Sequence, residues 1–424
     1  MVKQCTRCLY TENHPLGITF DDSGVCSGCL IHEEKDTLDW QGRWTELEEL
    51  VASYKTKNSN NYDCIVPVSG AKDSFFVLHT VVNKLKLRPL VVSYNKLFNT
   101  PVGIANLARL RIAFNVDFHL KTVDPRIVKR ITRRSIYAHG NPYWHCLAGE
   151  TVFPVQVAVL MRIPLIIWGA HQGLEQVGMF SHLHNVEMSR RFRKDHDLFG
   201  VEANDLISDF DNLSDDDMLN YQYPAFSDIE EIGVRGVYLG NYVRWDPYAQ
   251  HVKMVEDFGY QGMTLSRTFD EYDHADCFVY SNLHDLLKLY KHGYSKVTDQ
   301  VCREIRFGRL TRQQGQELVR AYEMKEPDNM ALFCEWLGVD QRSLLFAMNR
   351  HRNRSLWRES APDQWEKKDF GMAPKKDLRL NVPLRYSGNF GTEKSCSDKF
   401  ITIGKGVDWP AIEDRKVDEQ LSWL

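Results

Sequence analysis

The passage from Tyr62 to Val82 constrains the fold of this chain more than any other. Tyr62 to Val68 reads Tyr-Asp-Cys-Ile-Val-Pro-Val, a short run with β-branched residues that suits a strand buried on both faces. Ser69-Gly70-Ala71-Lys72-Asp73-Ser74 follows, and then Phe75 to Val82, whose length and apolar spacing fit a helix packed on a sheet. A strand that turns through small residues into a helix aims free backbone N–H groups and the positive helix end at one spot, which makes an anion site. The backbone of Gly70 and Ala71, the Lys72 ammonium and the hydroxyls of Ser69 and Ser74 would form its pyrophosphate cradle. The string is not a Walker A loop, which needs Gly, four residues and then Gly-Lys-Ser/Thr.

Further strands are expected at Arg88 to Asn95, Val116 to Val123 and Ile163 to Trp168, and helices at Pro101 to Phe114 and Arg126 to Tyr137. This alternation predicts an α/β fold with a doubly wound parallel sheet. Ligands of such sheets sit at the carboxyl ends of the strands, so Ser93, Tyr94 and Asn95 are expected near a nucleotide, with Gly169, Ala170, His171 and Gln172. His171 is the candidate to polarise or deprotonate a reacting group.

Cys5 and Cys8 form one C-x-x-C pair and Cys26 and Cys29 a second, with 17 residues between them, the spacing of a four-cysteine zinc ribbon. Four thiolates close the tetrahedron and leave no position for water, so the expected ion is structural; a redox dithiol or an iron–sulfur site is the alternative. No apolar stretch follows the single charge near Met1, so a secretory signal is not expected, and Val152 to Trp168 is broken by Pro154, Gln156, Arg162 and Pro164, too short a clean run to span a membrane. The expected location is the cytoplasm, with reduced cysteines. Fifty-three Lys and Arg against 57 Asp and Glu give a net charge of −4, which offers no global field for nucleic acid or an anionic membrane.

The loop resembles the S-G-G-x-D-S loop of the PP-loop ATP pyrophosphatases, enzymes that cleave ATP to AMP and pyrophosphate while adenylating a carbonyl-type oxygen. Ala71 stands where that family usually has its second glycine, a place where a Cβ would strain a turn that prefers φ > 0. Several segments together are similar to the N-acetyl sugar amidotransferases of bacterial surface-polysaccharide and flagellin-sugar biosynthesis: Ile18 to Cys26 after the first cysteine pair, Ile163 to Gly169, Tyr238 to Asp246, Thr298-Asp299-Gln300, Glu304 to Arg312 and Glu317-Leu318-Val319. The resemblance runs from about residue 1 to about 340. It implies conversion of an acetamido group on a nucleotide-activated sugar into an acetamidino group through an ATP-adenylated imidate. Lys72, Asp73 and His171 become the catalytic candidates, with Asp73 on Mg²⁺ or positioning the loop. It also implies ammonia from a separate glutaminase, in keeping with the lack of a Gly-x-Cys-x-Gly elbow in this chain. The rival expectations are a zinc-containing tRNA-thiolating PP-loop enzyme, for which the α/β part offers Cys64 and Cys146, and a non-catalytic zinc-ribbon interaction protein.

Arg190, Arg191, Arg193, Lys194 and His196 could grip a nucleotide-sugar diphosphate or form a solvated helix face. Tyr238, Tyr242, Trp245 and Tyr248 could stack on sugar or adenine, or simply pack. Asn282 to about Arg320 reads as helices with one apolar face. The expected division is a zinc ribbon over 1–45, the PP-loop α/β domain over 60–255, a helical C-terminal region over 256–345 and an extension of unknown role over 346–424, weakly structured from Ser360.

Overall fold

The computed structural model describes residues 2–55, 61–209, 211–273, 275–277, 279–362 and 364–368. Its centre is a five-stranded, all-parallel sheet of β1 (Cys64–Pro67), β2 (Pro89–Tyr94), β3 (Asp117–Lys121), β4 (Leu165–Trp168) and β5 (Arg235–Tyr238), in the order β3-β2-β1-β4-β5. Side chains alternate across these strands, so both faces need cover. Cys64, Val66, Val91, Leu165 and Ile167 pack on one face with Phe75, Leu110 and Met254, from helices Lys72–Leu78, Pro101–Phe114 and Pro247–Phe258. Ile65, Leu90, Val92 and Ile166 pack on the other with Phe153 and Val157 of helix Trp144–Met161.

Four strands lie where the hydrophobic runs place them; β5 does not come from such a run. Its four residues, Arg235–Tyr238, open the aromatic passage read as a stacking surface. Tyr238, Tyr242 and Trp245 are buried core residues and only Tyr248 is exposed, with the Arg309 guanidinium over its ring, so that passage is mostly packing. Helix Trp144–Met161 has no polar face, which hides its period; it is buried along most of its length and carries Pro154 inside.

The cysteine segment is not a free-standing module. Cys5, Cys8, Cys26 and Cys29 share a core with Val297, Val301 and Cys302 of helix Lys296–Arg306, and Leu318 and Val319 of helix Arg312–Tyr322 pack against it. Tyr10 Oη donates to Asp299 (2.7 Å) and Leu9 N–H to Cys302 Sγ (3.3 Å), so the cysteine segment and helix Lys296–Arg306 build one unit. The C-terminal core does not stop at 345. A hairpin of β6 (Trp357–Ala361) and β7 (Gln364–Lys367) follows helix Gln341–Asn349, and the buried Trp357 packs on Tyr290 of helix Tyr280–His292. Residues 369–424 lie outside the described residues. Among the described residues no helix is long and apolar enough to cross a membrane.

Candidate active site and metal centre

The phosphate loop leaves the carboxyl end of β1 beside β4, and its conformation follows from which residue takes the left-handed turn. That residue is Gly70, at φ +85°, where a Cβ would stand 2.7 Å from Leu107 Cγ and 3.2 Å from the Gly103 carbonyl oxygen. Ala71 has φ −82° and ψ 176°, extended backbone that any residue adopts, so its Cβ introduces none of the expected strain. Ser69 Oγ accepts from Ala71 N–H (3.2 Å) and Ser74 Oγ accepts from Ser69 N–H (3.1 Å). The hydroxyls thus brace the turn. Lys72 and Asp73 begin the helix, where backbone N–H groups have no intrahelical acceptor.

This loop opens on a cavity of about 460 Å³ whose lining includes Ser69, Ala71, Lys72 and Asp73. Lys72 is almost fully buried, with Nζ 3.8 Å from Asp73 Oδ1 and 3.9 Å from Asp273 Oδ1. Burial pushes the Asp73 carboxyl up, but the Lys72 charge and then His251, whose Nε2 is 3.8 Å away, outweigh it and hold its pKa below the ordinary value. Asp73 Oδ1 has no hydrogen-bond partner among the described residues. Asp273 is held from the other side by Gln300 Nε2 (3.0 Å), on the helix that also packs on the cysteine cluster.

Deeper along the wall, the buried Lys96 Nζ lies 2.7 Å from Asp276 Oδ2 and 2.8 Å from Glu150 Oε1. Burial opposes its charge, yet those two carboxylates raise its pKa well above the ordinary lysine value. Asp276 Oδ1 has no hydrogen-bond partner among the described residues. Lys96, Glu150, Asp273 and Asp276 escaped the sequence reading because nothing local marks them. They are single charged residues in unremarkable segments, brought together by folding across 180 positions from Lys96 to Asp276.

Of the other expected site residues, Gln172, His196 and Trp245 line the cavity and several more lie off it. Ser93, Tyr94, Asn95, Gly169, Gly70 and Ser74 are not among the cavity-lining residues. The Tyr94 hydroxyl is buried against Tyr221 Oη (2.7 Å) and His145 Nδ1 (3.1 Å), and Asn95 Oδ1 accepts from Leu97 N–H and Asn99 Nδ2. Gly169 packs toward Trp245, which would lie 3.3 Å from a Cβ there. His171 is also off the cavity wall: its ring meets Phe180, Phe192 and Tyr238 edge-on, its Nδ1 accepts from Gly173 N–H (3.0 Å), and burial pulls its pKa down to about 3. Such a ring stays neutral and braces the loop after β4. In the basic run, Arg190 and Lys194 pair with Glu202, and Arg193 with Asp197 beneath Trp168, so these charges are spent within the fold rather than offered to a diphosphate. Cys64 and Cys146 are fully buried, their thiols pushed up mainly by desolvation, and no cysteine is among the lining residues.

The four cysteines of the box converge with their sulfurs within 4.8 Å of one another, all buried. Cys8 to Cys26 is 3.6 Å and Cys5 to Cys29 is 4.0 Å, bracketing the roughly 3.8 Å edge of a tetrahedron with 2.3 Å Zn–S bonds. Cys5 Sγ also accepts from the N–H groups of Arg7, Cys8 and Cys26 at 3.3–3.4 Å, contacts that favour thiolate. Gly28 is required by packing, since a Cβ there would lie 2.3 Å from Arg306 Nη2 and 2.4 Å from the Gln176 carbonyl. Arg306 itself stands 3.8 Å from Cys26 Sγ; burial opposes its charge, but the surrounding thiols raise its pKa well above the usual value. The donor set is compatible with a closed zinc site, and Arg306 also lines the cavity, so it touches both the cysteine cluster and the pocket.

Among known proteins, an uncharacterized protein of Methanocaldococcus jannaschii is 27% identical over 121 residues, 28% of this chain and 43% of the relative, so the alignment spans less than half of that protein. Residues 266–370 match the C-terminal domain of the WbpG-like LPS biosynthesis proteins, and it is this matched segment that brings Asp273 and Asp276 to the cavity on which the phosphate loop opens.

Proposed function

We propose that this protein is an ATP-dependent amidotransferase of lipopolysaccharide sugar biosynthesis, converting an acetamido group on a nucleotide-activated sugar into an acetamidino group. The observation that carries this reading is the shared cavity. In it the loop that resembles the PP-loop faces the segment that matches the WbpG-like LPS biosynthesis family, with Lys72 between Asp73 and Asp273.

An amide carbonyl is too stable for ammonia to displace its oxygen unaided. In this reading the amide oxygen attacks the α-phosphorus of ATP and the bond to pyrophosphate breaks. Ammonia then adds to the imidate carbon, and the C–O bond breaks with the oxygen leaving on AMP. Lys72, desolvated at the head of the helix, offsets charge on the phosphates as the pyrophosphate departs. The unpartnered Asp73 oxygen and the neighbouring Asp273 suit a Mg²⁺ held by one or two carboxylates and phosphate oxygens, and that ion would supply further charge neutralisation. Asp276 and Glu150, fixed by Lys96, place carboxylate oxygens where substrate N–H groups can be received. The cysteine site is structural. Ammonia would come from a separate glutaminase.

The test incubates the purified protein with ATP, Mg²⁺, ammonium and a panel of diacetamido nucleotide sugars, following pyrophosphate and product mass together. Sugar-dependent pyrophosphate with one oxygen replaced by NH is expected, and Lys72→Met should abolish both. A folded, zinc-loaded protein that releases no pyrophosphate with any of these sugars would overturn the reading.

A further inference from the structure

The cavity has a second cationic wall, far along the chain from the phosphate loop. Helix Tyr280–His292 presents His284, Lys288, Lys291 and His292 to it, at the i, i+4, i+7 and i+8 spacing that puts side chains on one helical face. The two carboxylates nearest this face are already engaged, and Asp299 neutralises Lys288 on the face itself. Asp285 accepts from Arg267 Nε (2.8 Å) and the Lys296 backbone N–H (2.5 Å), and Asp299 holds Lys288 and accepts from Tyr10 Oη (2.7 Å).

Lys291 is different. Its Nζ donates to the His139 carbonyl oxygen (3.1 Å) and lies over the Phe199 ring, with no carboxylate partner among the described residues. One acceptor leaves N–H capacity on an ammonium that has three donors. Desolvation without a compensating anion draws its pKa down to about 8. A cation kept in such surroundings gains most from an anionic ligand.

His14, from the cysteine segment, lines the same cavity and supplies an independent sign of a ligand. The imidazole is nearly fully buried and stacks on Tyr294 (4.9 Å between ring centres). Its Nδ1 accepts from Leu16 N–H (3.2 Å), so the neutral ring carries its proton on Nε2, and that donor meets no acceptor among the described residues. Two unspent donors of different origin, on a basic wall and within a cavity that also holds a phosphate loop, call for a second group rich in acceptor oxygens.

We infer that Lys291, with His14, forms a second anion subsite that binds the diphosphate of the nucleotide-linked acceptor, distinct from the ATP site at Lys72. This inference rests on the amidotransferase reading for the identity of the acceptor but not for the existence of the subsite. The division has a physical logic. An acceptor held at its diphosphate end is free to direct its sugar toward Asp276 and the phosphate loop, so binding far from the reacting amide would hold that amide in place.

The test is calorimetric and does not depend on turnover. UDP is the probe for this subsite, and a non-hydrolysable α,β-methylene ATP with Mg²⁺ is the probe for the phosphate loop. UDP should bind the zinc-loaded wild-type protein, and should still bind after saturation with the ATP analogue. Lys291→Met should weaken UDP by about tenfold, the loss expected for one charge-assisted contact, while leaving the ATP analogue unchanged. Lys291→Arg should restore most of the affinity, and His14→Phe, which keeps the ring stack, should weaken UDP alone. Absence of UDP binding, displacement of UDP by the ATP analogue, or equal losses for both ligands in Lys291→Met would overturn the inference. If UDP binding follows these expectations but no sugar is amidated, the function fails and the subsite stands. If sugars are amidated with Lys291→Met indistinguishable from wild type, the subsite fails and the function stands.

Discussion

Gly70 and Ala71 are neighbours in the phosphate loop with opposite requirements, and substituting each in turn tests the loop's geometry. At Gly70 the backbone is left-handed (φ +85°), and an added Cβ would meet Leu107 Cγ at 2.7 Å, Leu107 Cδ2 at 3.1 Å and the Gly103 oxygen at 3.2 Å. The left-handed penalty for a residue with a Cβ and the cost of forcing Leu107 aside together place the loss for Gly70→Ala at about 2–5 kcal/mol. The shifted loop should also lose ATP-dependent pyrophosphate release. Ala71 is extended (φ −82°, ψ 176°), so deleting its Cβ relieves nothing in the folded state and frees the unfolded chain. Ala71→Gly should therefore destabilise by about 0.4–1 kcal/mol and leave turnover near wild type. Urea midpoints of the zinc-loaded proteins, read beside pyrophosphate release, separate the two. An Ala71→Gly protein that becomes more stable or several-fold faster would show that the Cβ had been crowding the cradle, and a fully stable Gly70→Ala would refute the left-handed turn.

Two other outcomes follow from the packing. Cys26→Ser should release zinc and cost more than about 4 kcal/mol, the scale of losing a metal. Because the cluster shares its core with helices Lys296–Arg306 and Arg312–Tyr322, it should weaken both UDP and the ATP analogue, as checked by metal content, melting and calorimetry. The buried His171, with its pKa drawn down to about 3, stays neutral in the folded protein while the unfolded chain takes up a proton below its usual 6.5. Its contribution is present above 6.5 and is lost as the pH falls toward 3, by about 1.4 kcal/mol per unit. In His171→Asn, whose Oδ1 can accept from Gly173 N–H, the fall in stability from pH 6.5 to 5.5 should shrink by about 1 kcal/mol, since the unfolded histidine is already half protonated at 6.5. His32 and His145, also drawn down to about 3 by burial, would sustain the remaining slope. An unchanged acid slope in denaturant titrations would refute this account of His171.

What the sequence by itself determined about this protein is local chemistry. Two C-x-x-C pairs need only a knuckle each to present paired sulfurs, so their convergence was legible from spacing. The run into Ser69–Ser74 and the residues after it declared a strand, a turn and a helix, since short-range periodicity and small turn residues decide all three. β5 was hidden because four residues bounded by aromatics carry too little period to separate a strand from a loop. Only the tertiary structure decided what lies opposite the cradle. Asp273, Asp276, Lys288 and Lys291 look in sequence like solvated charges, and Arg190 and Arg193 look like better phosphate ligands. Folding reverses this: Glu202 and Asp197 neutralise those arginines, while Lys291 reaches the cavity with no carboxylate partner among the described residues. A charge is available to a ligand only when its neighbours leave it unpaired, and those neighbours are set by contacts between distant segments.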